Sequence, residues 1–142
     1  MRIYLTKILT RMAVPKTSLS VGEIIYDILT NDAEVSSRVT KIFPVVTEKA
    51  NLPYIAYRRT RIEHDPTKAK NPGADTVQLD LLCFTAKYYE GVELAEAVRA
   101  ALDYRQAEKD GLNMRSCTFN GGGLESYEDD AYVQELSFII KI

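Results

Sequence analysis

Residues 76–84 read TVQLDLLCF, and their alternation decides the fold. Val77, Leu79, Leu81 and Cys83 fall on one side, and Gln78, Asp80, Leu82 and Phe84 on the other. That is the period of a strand with one face buried and the other partly polar. A few residues later the period changes. In YEGVELAEAVRAALDYRQ (89–106), Val92, Ala95, Val98 and Leu102 form a stripe at helical spacing, while Glu93, Glu96, Arg99 and Asp103 face away. A sheet whose apolar side is covered by amphipathic helices is the arrangement this pairing implies.

Working toward the N-terminus, NLPYIAYRRTR (51–61) opens a second strand over about 53–63, joined to the strand at about 75–85 by HDPTKAKNPGAD (64–75). The linking segment is rich in turn residues and is the first place to look for a contact surface. Further back, Ser20-Val21-Gly22-Glu23 matches a capping box, followed by Val21, Ile24, Ile25, Ile28 and Leu29 at helical spacing, so a helix is expected over 21–30. NDAEVSSRV (31–39) adds a helical turn, and KIFPVV (41–46) is expected to be extended because Pro44 biases Phe43 away from helical angles.

Toward the C-terminus, Asp110-Gly111 breaks the helical pattern. LNMRSCTF and GLESYE read as strand pieces around the glycines of NGGG (120–123), which suggest a bulge or bend. YVQELSFIIKI (132–142) places Leu136, Phe138, Ile140 and Ile142 on one face, with Ile139 among the polar residues of the other. The expected architecture is α+β: an antiparallel sheet of about four strands with two helices packed on one face, in the order α-β-β-α-β-β. Residues 1–19 are expected to be an N-terminal arm or extra helix, and residues 20–142 a single domain.

Composition narrows the function classes. The chain has 142 residues, 46% of them hydrophobic, enough for one core. Eighteen Lys and Arg against twenty Asp and Glu leave a formal charge of −2, so no global basic field concentrates nucleic acid. No apolar run reaches the length of a membrane span or of a signal-peptide core, and a cytoplasmic origin without a membrane partner is expected. The opening segment places Ile3 or Tyr4, Leu5, Ile8, Leu9 and Met12 near one face of a helix that could dock on the domain or a partner chain; a weakly ordered arm is the alternative. Cys83 and Cys117 form no C-x-x-C pair and read as two buried free thiols.

Catalytic constellations are not signalled. The single histidine, His64, sits at a hairpin shoulder and reads as exposed rather than as a general base. Glu125, Glu128, Asp129 and Asp130 lack calcium-loop spacing and read as a solvated acidic turn. NGGG matches no phosphate-binding pattern. No catalytic, cofactor or metal residues are therefore assigned. Arg58, Arg59 and Arg61 remain. Strict alternation puts Arg59 and Arg61 on one strand face and Arg58 on the other, where they are either solvated and paired across strands with acids such as Asp80 or Asp75, or reach a neighbouring subunit. Leu82, Phe84 and Ile139 make the other sheet face more apolar than an idle surface needs, which hints at a protein partner. The candidate subunit or partner contacts are thus Arg58, Arg59, Arg61, Lys68, Lys70, Leu82, Phe84 and Ile139. A small nucleic-acid or ligand binding module using Arg58, Arg59, Arg61, Lys68 and Lys70 is the alternative, and it predicts salt-sensitive DNA binding.

The succession of YDILTNDAEVSSRV, IFPVVTEKANLPYIAYRR, VQLDLLCFTAKYYEGVELAEAVRAALD and LESYEDDAYVQELSFII resembles the tail-completion, or head-tail joining and tail-terminator, proteins of tailed phages. The resemblance covers roughly residues 20–142 and lies in the combined order and spacing, most of all in Leu52-Pro53-Tyr54 opening a strand after IFP. It implies a structural protein of phage or prophage origin, located in the virion neck or tail end and assembled in the host cytoplasm. Such proteins form a ring, generally of six subunits, that caps the tail tube and docks it to the head connector, with DNA only as cargo passing through. The resemblance brings no catalytic residues and no cofactor. The first nineteen residues and the 64–75 segment are less typical of it.

Overall fold

A computed structural model describes residues 14–45, 50–64 and 75–142 of the chain. The expectations for residues 1–13, Lys68, Lys70 and most of the 64–75 segment lie outside those residues. Within them, the first long helix, α1 (Val21–Asn31), buries the stripe expected of it: Val21, Ile24, Ile25, Ile28 and Leu29. Its start differs from the capping-box reading. A 3-10 turn over Ser18–Ser20 precedes it, and Ser20 is already turned, with φ −96 and ψ 9 and no cap bond from its side chain. The extended Thr17 serves instead: its Oγ1 accepts from the Leu19 N–H at 3.3 Å and its carbonyl from the Ser20 N–H at 2.8 Å. Glu23, freed of any capping role, pairs with the Lys16 Nζ at 3.2 Å. The short helix α2 (Ala33–Ser36) is capped by Asp32, which accepts from the Val35 N–H at 3.1 Å.

The sheet is five-stranded and mixed, not four-stranded and antiparallel. Its strands are β1 (Lys41–Pro44), β2 (Tyr54–His64), β3 (Asp75–Thr85), β6 (Ser116–Glu128) and β7 (Ala131–Lys141), in the spatial order β1-β2-β3-β7-β6. All neighbours are antiparallel except β1, which runs parallel to β2, with Lys41 opposite Tyr54 and Pro44 opposite Tyr57. Four residues are too few for alternation to announce a ladder, so the sequence shows β1 as extended without showing its partner. For the same reason β4 (Ala107–Lys109) is not legible beforehand, and LNMRSCTF, expected as one strand piece, divides between β5 (Leu112–Met114), which pairs with β4 in a separate hairpin, and the start of β6. The glycine run does sit within one bent strand: β6 shifts register against β7 between Phe119 and Gly122 and again between Gly122 and Leu124.

Both long helices cover the same sheet face. Rows such as Tyr57–Leu81–Leu136 and Leu79–Phe138 lie beneath them and join their apolar stripes in one core. The third helix, α3 (Tyr88–Leu102), is rotated from the expected stripe. It buries Gly91, Leu94, Val98, Ala101 and Leu102, while Val92 and Ala95 are only half-buried. The cause is Gly91: a Cβ there would stand 2.8 Å from the Thr85 Oγ1, so the missing side chain lets the helix close onto β3. A glycine carries no hydropathy signal, and the stripe was therefore read one residue off. Cys83 and Cys117 are both buried and free, and burial pushes each thiol up to about 12, which keeps them protonated and inert.

Candidate interaction surface

The sheet face opposite the helices is where most of the sequence-based candidates meet. The arginines reach it differently from strict alternation. A bulge between Arg59 and Arg61 shifts the register, so that Arg58 stands opposite Asp80 and Arg61 opposite Gln78, both on the open face. Arg59 lies opposite the buried Leu79 on the helix side, where its Nη1 donates to the Leu19 carbonyl at 2.8 Å. The pairing of Arg59 with Arg61 on one face is thus overturned: the extra residue, Thr60, takes up one step of the alternation. Thr60 Oγ1 donates to the Gln78 carbonyl at 3.3 Å. Arg61 Nη2 meets Glu63 Oε1 at 2.8 Å, an exposed pair worth little to stability. Neither Asp80 nor Asp75 is an ion-pair partner of these arginines. Asp75 instead accepts from the Ser18 hydroxyl and contacts His64 Nδ1 at 2.5 Å, which fastens the N-terminal turn to the sheet. His64 belongs to the end of β2 rather than to a loop.

Leu82, Phe84 and Ile139 all lie on the open face and are half-buried. They are joined by two residues the sequence reading passed over as contacts. Phe43, Tyr54 and Phe84 form a stacked ladder across β1, β2 and β3, with ring centroids 5.4 Å and 4.5 Å apart. Each such pair adds about 0.5–1.5 kcal/mol beyond its area burial. Lys41 Nζ stands 5.2 Å from the Phe43 ring centroid and closes the apolar end. Burial, with the Asp129 carboxylate adding to it, pushes the Tyr54 phenol up. The signal for the ladder was present, since Tyr54 and Ala56 share a side in PYIAY, but without β1 there was no reason to align Phe43 with it.

Next to the ladder runs a polar row, Arg58–Asp80–Ser137, set by the β2–β3–β7 register. Asp80 Oδ1 and Ser137 Oγ are buried and have no hydrogen-bond partner among the described residues. Two such groups side by side are unusual, because leaving a buried polar atom unpaired costs about 1–3 kcal/mol. β1 ends opposite Tyr57, so it leaves the outer side of β2 from Arg58 to His64 without a neighbouring strand among the described residues. The acidic turn at the other end of the sheet is partly organised: Glu125 accepts from the Tyr88 hydroxyl at 2.8 Å and from Gln134 Nε2 at 3.0 Å, and the Gln134 bond, with the Tyr88 bond next, holds its carboxyl low. Among the described residues no cluster of three His, Cys, Asp or Glu is placed to hold a metal ion.

This sheet, α3 and all but the first two residues of α1 fall within one family match: residues 23–142 fit the model described as tail completion protein gp17. The chain belongs to that family. It is accordingly a phage tail completion protein and a virion structural protein by family. Solved structures agree in fold. A chain of the virion of the native gene transfer agent particle superposes with a TM-score of 0.65 at 18% identity, covering 82% of this chain and 90% of that one. The structure of the bacteriophage SPP1 gp17 protein gives 0.59 at 13% identity, covering 88% and 90%. At these identities the likeness is one of fold. No curated protein matches the chain in sequence. The tail completion match begins inside α1, so the Ser18–Ser20 turn and everything before it lie outside the matched region.

Proposed function

We propose that this tail completion protein ends the tail tube and joins it to the head connector as a self-associating ring, with six subunits the expected closure. The family match over residues 23–142 carries this reading. In it the partners are other copies of the chain, the tail tube and the connector, DNA passes through as cargo, and no reaction is catalysed. The open sheet face supplies the contacts: the Phe43–Tyr54–Phe84 ladder with Leu82 and Ile139 as the apolar part, Arg58 and Arg61 as the charged edge. The two sheet edges, β1–β2 and β6, are unlike, so side-by-side copies make a heterologous contact that closes only when the rotation per copy fits the symmetry. Arg59 is held by Leu19 and has the weakest claim among the arginines.

Mass spectrometry of tailed particles purified after induction of the source bacterium tests the reading. Peptides of this chain at a few copies per tail are expected. Their absence from intact particles encoded by the same genome would overturn it.

A further inference from the structure

Among the described residues, each edge of the sheet is covered over one half only. On the β2 side, β1 ends opposite Tyr57, and the last bond across runs from the Val45 N–H to the Tyr57 carbonyl at 2.8 Å. On the β6 side, the segment after α3 covers the first half of the strand. The Tyr104 N–H donates to the Cys117 carbonyl at 2.7 Å, and Asp103 Oδ1 accepts from the Phe119 N–H at 2.9 Å. Past these points, residues 58–64 of β2 and 124–128 of β6 have no neighbouring strand on their outer side among the described residues. An outer strand left open in this way is a template for another strand.

The two open halves differ in charge. The β2 half carries Arg58, Arg59 and Arg61 against Glu63. The β6 half carries Glu125 and Glu128, runs into Asp129 and Asp130 at the turn, and contains no basic residue. It also exposes apolar area, with Leu124 63% and Tyr127 58% accessible. One copy cannot bring its own halves together. They lie on opposite sides of β3 and β7, about 14 Å apart at the usual strand spacing. Along the strands, from Asp80 opposite Arg58 to Thr85 level with Tyr127, the offset is about 17 Å. Neighbours from β2 through β3 and β7 to β6 are all antiparallel, so β2 and β6 run in opposite directions. A second copy set alongside in the same orientation therefore continues the antiparallel ladder.

We propose that residues 58–64 of one copy pair edge to edge with residues 124–128 of a second copy of this chain, the arginine edge meeting the acidic one. The proposal rests on the self-association reading above and names the strands that join the copies. Main-chain hydrogen bonds supply the attachment. Charge selects the partner edge: two β2 edges repel, two acidic β6 edges repel, and only the unlike pair attracts. The contact is thus head to tail, as a ring requires.

Disulfide trapping between single variants of the full chain tests it. Glu63, opposite Thr76, and Leu124, Ser126 and Thr118, opposite Glu135, Val133 and Ile139, all lie on the open face. A register step of two keeps that face, so Glu63→Cys is mixed separately with Leu124→Cys and with Ser126→Cys. Thr118→Cys, in the covered half of β6, is the control. The native Cys83 and Cys117 are buried. The expected result is a mixed disulfide with position 124 or 126 and none with 118, read by mass spectrometry and reversed by reductant. It should be lost when the Glu63→Cys chain also carries Arg58→Glu and Arg61→Glu, with the circular dichroism of the fold retained. Equal coupling to Thr118→Cys would overturn the proposal, as would self-association in sedimentation without a mixed product. A chain that sediments as a monomer at its highest soluble concentration would overturn it too. None of these failures touches the virion test, which reads whether the protein is a tail component at all.

Discussion

Replacing Arg58 and Arg61 together with glutamate separates the contact role of the β2 edge from its role in stability. Arg58 stands opposite Asp80, so a glutamate there sets two carboxylates in directly facing positions, at a cost of about 0.2–1 kcal/mol. Arg61 loses an exposed pair with Glu63, itself worth about 0–1 kcal/mol. The sum, about 0.2–2 kcal/mol, is small beside the roughly 5–15 kcal/mol of a typical domain. It corresponds to a fall in the unfolding midpoint of about 1–8 °C for a chain of this size. The double variant should therefore remain folded and monodisperse by circular dichroism and calorimetry, yet fail to restore tail completion when supplied to a phage lacking the native gene. Arg59→Glu is the control: it breaks the bond to the Leu19 carbonyl and loosens the N-terminal turn, with the open-face charge intact. A folded Arg58→Glu/Arg61→Glu protein that completes tails normally would refute the contact role of this edge and leave the family assignment untouched.

Leu94→Ala should destabilise the protein by about 2–5 kcal/mol in chemical denaturation, whereas Val92→Ala should cost clearly less, because Leu94 is 1% exposed and Val92 only half-buried. Equal losses would contradict the observed rotation of α3. Gly122→Ala should cost more than Gly121→Ala in the same assay: both glycines have left-handed φ, at +86 and +91, but only at 122 does the added Cβ meet a backbone atom, the Ser137 nitrogen at 3.3 Å. The left-handed strain common to both is about 1–2 kcal/mol, so their difference isolates that contact. Asp75 gives a pH dependence. The Ser18 hydroxyl, then His64, hold its carboxyl below the ordinary value, so its stabilising effect is complete above the unfolded pKa, near pH 4, and fades as pH falls through the lower folded one. Unfolding midpoints measured downward from pH 5 should converge for wild type and Asp75→Asn, and parallel curves would remove Asp75 as the acid-sensitive tie.

Why the arginines were assigned to the wrong faces shows where sequence reading stops. β3 and β7 announce themselves because eleven residues each, flanked on both sides, must alternate to bury Val77 through Cys83 and Leu136 through Ile140. The outer strands are under weaker constraint. β1 is four residues long, and beyond Tyr57 β2 leaves the cover of β1, so a bulge at Thr60 costs only local pairing, and its one hydropathy trace is Ile62, which the shift returns to the core side opposite Val77. The same freedom operates in the glycine run of β6, where the signal survived because glycine is itself the mark of the left-handed backbone. What defines the candidate surface is therefore carried by pairings rather than by any one segment: Phe43 joins Tyr54 only through the parallel β1 register, and Asp80 becomes an orphan beside Ser137 only through β7. Apolar content alone hinted at a partner through Leu82, Phe84 and Ile139. Asp80 Oδ1 and Ser137 Oγ lie beneath that face, too deep for a seated partner to reach, so it is the aromatic ladder and the arginine edge that a partner has to match.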